Sequence, residues 1–216
     1  MLQYNLTRQK AGITLWGDPW TLRALHELIH RFNEESPVIG NKEGYILGLA
    51  YDIRKAFEGA REKDTIKDGK DSYRIYGVKL LWPSLIAQVG VLRASMAFTP
   101  TTRLDQALIY EVEGIIESAA KEAMPGKEDL ILAEMQNLGS SDRHIEKTLS
   151  TRLLYFVSLS TKERMVKLPQ ILASMTSGYY CITQAVQRDL PGIIPPREFD
   201  VHQPRADNGD WPDFKW

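Results

Sequence analysis

Apolar residues recur at helical spacing along most of the chain, and this pattern predicts its helices. The clearest stripe contains Leu25, Ile29 and Phe32, and it follows Asp18-Pro19. Aspartate is a good N-cap residue and proline suits the first helical position, so a helix is predicted over residues 19–34. Further helices are predicted over residues 45–61, 83–98, 104–119, 128–137, 142–157, 162–167 and 170–187.

Small residues add detail to three of these helices. Gly44, Gly48 and Gly59 weaken the helical pattern of residues 45–61, although they could allow close helix packing. The Ser140-Ser141 pair favours a helix cap before Asp142 over a nucleophile.

The segment 83–98 is apolar on nearly every side, which is typical of a central buried helix. Its only long polar side chains are Gln88 and Arg93. A buried charge is costly unless it is paired, so Arg93 is expected to form a structural ion pair. An anion clamp in a pocket is the alternative. The candidate carboxylate partners are Asp52, Glu111 and Glu113.

Strand patterns are few and lie near the N-terminus. Residues 3–6 and 12–16 predict a short hairpin, and residues 72–76 predict one further strand that extends its sheet. The mixed charges of residues 62–71 indicate a solvated loop. Because strands do not alternate with helices, the predicted fold is α+β and predominantly α-helical, with a small antiparallel sheet packed on a helical core.

No linker divides the chain, so residues 1–216 are predicted to form a single domain in which residues 191–216 are an extended C-terminal arm. The arm carries several prolines and few helix signals.

Composition narrows the function classes without naming one. The chain has 216 residues, 43% of them hydrophobic and 25% charged, with a net charge of -1. The net charge argues against a broad surface for nucleic acid or anionic lipid, although a small local patch stays open. The start of the chain shows no secretory signal, and Cys181 is the single cysteine. We therefore expect a cytoplasmic protein with neither a membrane nor a nucleic-acid partner.

One motif has chemical content. His26, Glu27 and His30 match the H-E-x-x-H pattern of zinc metalloproteases. Histidines four residues apart share one helix face and can bind one zinc ion, and Glu27 would then act as general base on the bound water. The sequence does not select a third ligand among the remaining candidates, Glu58, Glu111, Glu113, Glu117, His144 and His202.

Two features of the motif favour a plain solvated helix flank instead. Arg31 follows His30 directly, where metalloprotease motifs mostly keep an uncharged residue, and the metzincin continuation is absent. On the helix, His26 borders the apolar stripe, whereas Glu27 and His30 lie on its polar side. The pair can therefore face either a cleft or solvent.

The C-terminal tail is unusually aromatic. Trp211, Phe214 and Trp216 would be costly to leave fully exposed. The tail is expected either to fold back on its own domain or to dock on a second subunit, since interfaces enrich aromatic residues. These three residues are the candidate interaction site, and they are the main sequence argument for a homo-oligomer.

Several segments together resemble a family of bacterial proteins of unknown function. They are residues 15–18, 25–30, 42–44, 47–59, 75–78, 81–83, 104–107 and 211–214. The resemblance implies a bacterial, single-domain cytoplasmic protein. It implies no reaction, cofactor or site residue.

Two function hypotheses therefore stay open, and whether the chain is an enzyme is undecided. The first is a helical association or structural protein. The alternative is a zinc-dependent hydrolase that uses His26, Glu27 and His30.

Overall fold

The computed structural model describes residues 1–69, 71–186, 190–202, 214 and 216. The strands are β1 (Gln3–Leu6), β2 (Gly12–Gly17), β3 (Glu62–Asp68) and β4 (Asp71–Leu81). The helices are α1 (Pro19–Glu35), α2 (Tyr45–Phe57), α3 (Trp82–Ser95), α4 (Arg103–Ala123), α5 (Glu128–Leu138), α6 (Asp142–Ser158), α7 (Thr161–Ala173), α8 (Ser177–Ala185) and α9 (Pro196–Asp200). This architecture confirms the predicted α+β, predominantly helical class.

Local capping explains where several helices begin. The Asp18 carboxylate accepts hydrogen bonds from the backbone N–H groups of Trp20 and Thr21, which agrees with the cap predicted for α1. Thr102 and Asp105 form a reciprocal capping box at the start of α4. Helix α2 ends earlier than its pattern predicts, because Gly59 adopts a positive φ of 77° and turns the chain out of the helix.

The four strands form an antiparallel sheet in the order β1-β2-β4-β3. Ile13 pairs with Leu80 and Leu15 pairs with Val78, and all four side chains are buried on the face toward the helices. The strand predicted at residues 72–76 is part of β4, but β4 joins the hairpin through residues 76–81, and residues 72–75 pair with β3 instead.

The prediction of a solvated loop at residues 62–71 is wrong. Residues 62–68 are the edge strand β3, which pairs along its whole length with β4. Its charged residues hid the strand, because strand propensity is low for lysine and aspartate.

Helix α3 forms the centre of the core, as predicted. Trp82, Ile86 and Val91 are fully buried along it. At Gly90 it crosses α5 so closely that a Cβ atom there would lie 2.3 Å from the Met135 carbonyl oxygen. The crossing therefore requires a residue without a side chain.

Helix α7 continues through Pro169, where the sequence predicts a break. Proline cannot donate to the carbonyl four residues earlier, which belongs to Met165. Lys127 Nζ donates to that carbonyl at 3.1 Å instead. A side chain from outside α7 thus replaces the missing hydrogen bond.

Two arginines that sequence reasoning missed are buried among aromatic rings of the C-terminal segment. The Arg152 guanidinium lies 4.0 Å from the centre of the Phe199 ring in α9, a short helix within the predicted arm. The Arg164 guanidinium lies 4.9 Å from the centre of the Phe214 ring, and it also donates to two carbonyls near the end of α6. Both contacts join the C-terminal segment to the helical core.

None of the helices within the described residues has both the length and the apolar character that a membrane span requires.

Candidate functional site

A cavity of about 850 Å³ opens between α3, α4, α5 and α6. Its floor is the α3–α5 crossing, with Gly90 and Gly139 in contact. Helices α4 and α6 each pack against α3, and each of them supplies a wall of the cavity. The lining residues are Val38, Gly90, Arg93, Ala94, Phe98, Glu113, Glu117, Leu132, Met135, Gln136, Gly139, Ser140, Ser141, Asp142, Arg143, His144 and Ser177.

The α4 wall of the cavity carries two carboxylates one helical turn apart, Glu113 and Glu117. Arg93 Nε lies 3.2 Å from Glu113 Oε1, and its guanidinium stacks 4.7 Å from the centre of the Tyr110 ring. Burial raises the pKa of Glu113, and the Arg93 charge opposes that rise. Glu117 forms no ion pair within the described residues, so a negative charge is available on this wall.

The Arg93–Glu113 pair confirms the predicted structural ion pair, with one correction. The Arg93 side chain is 42% exposed, because it reaches the cavity mouth from an otherwise buried helix. Long basic side chains reach solvent in this way by burying only their stems.

The α6 wall of the cavity is held in place by a buried aspartate. Asp142 accepts a hydrogen bond from the Gly40 backbone N–H at 2.9 Å and another from the Tyr45 hydroxyl at 2.8 Å. Burial, together with the negative Asp142, raises the pKa of Tyr45 far above its usual range, so the phenol stays a donor. The next residues, Arg143 and His144, line the cavity.

The Ser140-Ser141 pair precedes α6, where the sequence predicts a cap. Ser141 does occupy the N-cap position, but its hydroxyl donates back to the Asn137 carbonyl and makes no cap hydrogen bond.

The histidines of the H-E-x-x-H motif lie on α1, away from the cavity. The His26 and His30 ring centres are 6.0 Å apart, and His26 packs edge-on against Phe57 of α2 at 5.8 Å. His26 is half-buried, whereas Glu27 and His30 are exposed. The structure therefore brings the two histidines together on an outer face of the α1–α2 pair.

Three of the candidate third ligands have other contacts. Glu58 pairs with Arg54 and Lys55, Glu111 accepts the Leu2 backbone N–H, and Glu113 pairs with Arg93. Among the described residues, no group of three or more histidine, cysteine, aspartate or glutamate side chains could hold a metal ion.

The protonation of His26 gives a test of its surroundings. Burial lowers the pKa of His26 below its usual 6.5, and the nearby His30 and Arg54 lower it further. Below pH 6.5 the unfolded chain takes up a proton that the folded chain resists, so the unfolding free energy should fall as pH drops from 6.5 toward the lowered pKa. Nuclear magnetic resonance of the ring protons should give a midpoint below 6.5. In the His26→Gln variant, the unfolding free energy should fall less at acid pH than in the wild type. A titration midpoint of His26 at or above 6.5 would contradict its half-buried environment.

The aromatic tail lies partly within the described residues. Phe214 is half-buried, packs against the hydrophobic core and stacks edge-on against Trp216 at 5.4 Å. Trp211 lies outside the described residues. The described contacts of Phe214 are made within its own chain.

The cavity could not be predicted from the sequence, because its walls come from helices that are far apart along the chain. Arg93 and Glu113 were candidate partners in an ion pair, but Arg143 was not singled out. One available signal was Gly90 inside a uniformly apolar helix, since such a glycine often has a packing reason.

A family model described as a domain of unknown function matches residues 2–216. No curated protein and no solved structure matches the chain.

Proposed function

The chain belongs to the family of the domain of unknown function DUF6904, and from that premise we propose that it binds a small zwitterionic molecule in the cavity between α4 and α6. The observation that carries the proposal is one cavity lined by a carboxylate from α4, Glu117, and a guanidinium from α6, Arg143, neither of which forms an ion pair within the described residues. Binding of a small molecule is a narrower function than the association or structural role expected from the sequence.

The size of the cavity suits a ligand of this kind. Small-molecule sites are usually clefts of about 300–1,000 Å³ with a mostly apolar lining and a few placed polar groups. The cavity has about 850 Å³. Leu132 and Met135 supply apolar surface, and Phe98 at the rim is 63% exposed and could cover an aromatic or aliphatic group.

The charges of the walls define the chemistry of the ligand. Glu117 on α4 and Arg143 on α6 both line the cavity, and neither forms an ion pair within the described chain. An ammonium group would be attracted to Glu117, and a carboxylate or phosphate group to Arg143. A ligand with only one charge would leave the other wall unpaired, so a zwitterion is the best match.

A thermal-shift series tests this selectivity with leucyl-leucyl-phenylalanine as the probe. Four forms are compared: free, N-acetylated, C-amidated and blocked at both ends. Free probe at about ten times its Kd should stabilise the protein by about 1.4 kcal/mol. For a chain of this length that is a rise in Tm of roughly 3–6 °C. Blocking either end should remove most of the rise.

Substitutions of two charged lining residues test whether the peptide binds in the cavity. Glu117→Gln and Arg143→Gln should each weaken binding of the free peptide about tenfold, which corresponds to loss of one charge-assisted contact. Glu122→Gln and Lys147→Gln change exposed charges on the same helices outside the cavity and should bind normally. Equal shifts with all four peptide forms, or no shift with any of them, would refute the proposal.

A zinc-binding function is the second candidate, and it rests on the 6.0 Å separation of the His26 and His30 rings. Glu27 would then be the general base of a hydrolase. Elemental analysis of protein purified without chelators or affinity metals is the test. One zinc per chain that is lost in His26→Ala would support the site, and less zinc, or zinc unchanged in the variant, would refute it.

Bacterial origin, cytoplasmic location and a homo-oligomer stay predictions from the sequence. The oligomer prediction rests on the aromatic tail, of which Phe214 packs against its own core. Light scattering measures the molecular mass in solution directly, and a monomer at micromolar concentration would contradict the predicted homo-oligomer.

A further inference from the structure

The β3–β4 hairpin sorts its charges by face. Only residues 76–81 of β4 pair with β2, so the rest of the hairpin projects as a two-stranded ribbon. Successive residues of a strand point to opposite faces, and directly paired residues share a face. The inner face of the ribbon is the side that continues the helix-facing side of the sheet, and it carries Lys63, Lys67 and Arg74. The opposite, outer face carries Glu62, Asp64 and Asp71.

The inner-face cations are available for a partner. All three side chains are exposed, and none forms an ion pair within the described residues. On the outer face, by contrast, Glu62 is paired with Lys79 at 2.9 Å.

The end of α2, which lies beside the ribbon, adds further positive charge. Lys63 lies over this end, where a Cβ atom at Gly59 would be 3.0 Å from the lysine Cε. The local carboxylates are already paired: Asp52 with Arg61, and Glu58 with Arg54 and Lys55. The three cations at this end of α2, Arg54, Lys55 and Arg61, thus outnumber by one the two carboxylates that pair with them.

The three ribbon cations have a regular spacing. Lys63 and Lys67 are four residues apart on one strand, about 13 Å at the usual rise per residue. Arg74 pairs with Thr65, which lies midway between them. Its position on the neighbouring strand, about 4.8 Å away, places each lysine roughly 8 Å from it along the diagonal. A regular row of cations matches a polymer with regularly repeated charges.

We propose that the basic inner face of the ribbon binds the phosphate backbone of duplex nucleic acid. The net charge of -1 led to the opposite expectation, but an average over the chain conceals charges that a strand separates by face. A membrane is a poorer match, because the aliphatic residues of the ribbon, Ile66 and Ile75, lie on the outer face with the acidic groups. The contacts involve phosphates alone, so binding is independent of sequence.

Fluorescence anisotropy with a labelled DNA duplex of about 20 base pairs is the test, and its salt dependence reports the number of phosphates contacted. Three contacts predict that log K falls with log salt concentration with a slope of about -3. The variant Lys63→Gln/Lys67→Gln/Arg74→Gln should bind at least about tenfold more weakly and lose most of this slope.

The matched control is Arg103→Gln/Lys121→Gln/Lys147→Gln, which removes three exposed cations elsewhere and should bind like the wild type. Unchanged Tm values show that both triple variants are folded. Equal binding by the two triple variants would overturn the proposal. Tighter binding of phosphatidylserine vesicles or of a polyglutamate peptide than of the duplex would also overturn it, in favour of those partners.

Discussion

Replacing Gly90 with alanine should lower the unfolding free energy by about 3 kcal/mol, at the upper end of what overpacking usually costs. The new Cβ would lie 2.3 Å from the Met135 carbonyl oxygen, and backbone cannot move aside as a flexible side chain can. Helices α3 and α5 would have to separate, and contacts along the central helix would be lost. Urea unfolding monitored by circular dichroism measures the loss, which for this chain length corresponds to roughly 6–12 °C in Tm.

The control uses glycines in two other helices. A Cβ atom at Gly48 in α2 or at Gly114 in α4 would meet no described atom within 4 Å beyond its own helical turn. Alanine at either should raise the unfolding free energy by about 0.5–1 kcal/mol, because alanine favours the helix. If Gly90→Ala is as stable as these two variants, the close α3–α5 crossing is wrong.

Replacing Asp142 with alanine should also lower the unfolding free energy by about 3 kcal/mol. The carboxylate accepts two hydrogen bonds, and hydrogen bonds to charged groups contribute about 1.5–3 kcal/mol each. The variant leaves the hydroxyl of Tyr45 without its acceptor in a largely desolvated place and frees the start of α6 from the Gly40 loop. Chemical denaturation with wild type and variant gives the difference.

Two comparisons make the Asp142 result specific. Asp129 is an exposed first-turn residue of α5, and Asp129→Ala should cost about 0.5 kcal/mol through the helix dipole alone. Tyr45→Phe should cost less in the Asp142→Ala background than in the wild type, because its partner is already gone. Equal costs for Asp142→Ala and Asp129→Ala would show that the buried network contributes nothing.

The helices were largely predictable because their signals are local. Asp18 and Thr102 cap α1 and α4 through neighbouring backbone groups, and the uniformly apolar stretch of α3 marks a buried helix. Strand β3 was not predicted because it lacks the alternation of apolar and polar residues that indicates a strand. Its acidic and basic residues alternate instead, and that alternation separates the two faces of a strand as well as hydrophobicity does.

Contacts between residues that are far apart in the sequence could not be predicted from local patterns. Pro169 predicts a break in α7, and only the position of Lys127 explains why the helix continues. The glycines suggested as packing positions also differ from those observed: Gly48 has open space around it, whereas Gly90 makes the close crossing. The cavity arises from that crossing and from the gap between α4 and α6, neither of which leaves a periodic pattern.

Gly90 and Asp142 both line the cavity that is proposed to bind the ligand. Gly90 lies at the α3–α5 crossing that lines the cavity, and Asp142 fixes the start of the α6 wall next to Arg143. Both packing features therefore position the groups that would bind the ligand.

Titration of the free tripeptide leucyl-leucyl-phenylalanine into methyl-labelled protein tests the central claim most directly. We expect chemical-shift changes at the methyl groups of Leu132 and Met135 in the cavity and none at Ile13 in the sheet core. The doubly blocked peptide should produce no such changes. Unperturbed Leu132 and Met135 methyls, or equal perturbation by the blocked peptide, would contradict a zwitterion-binding cavity.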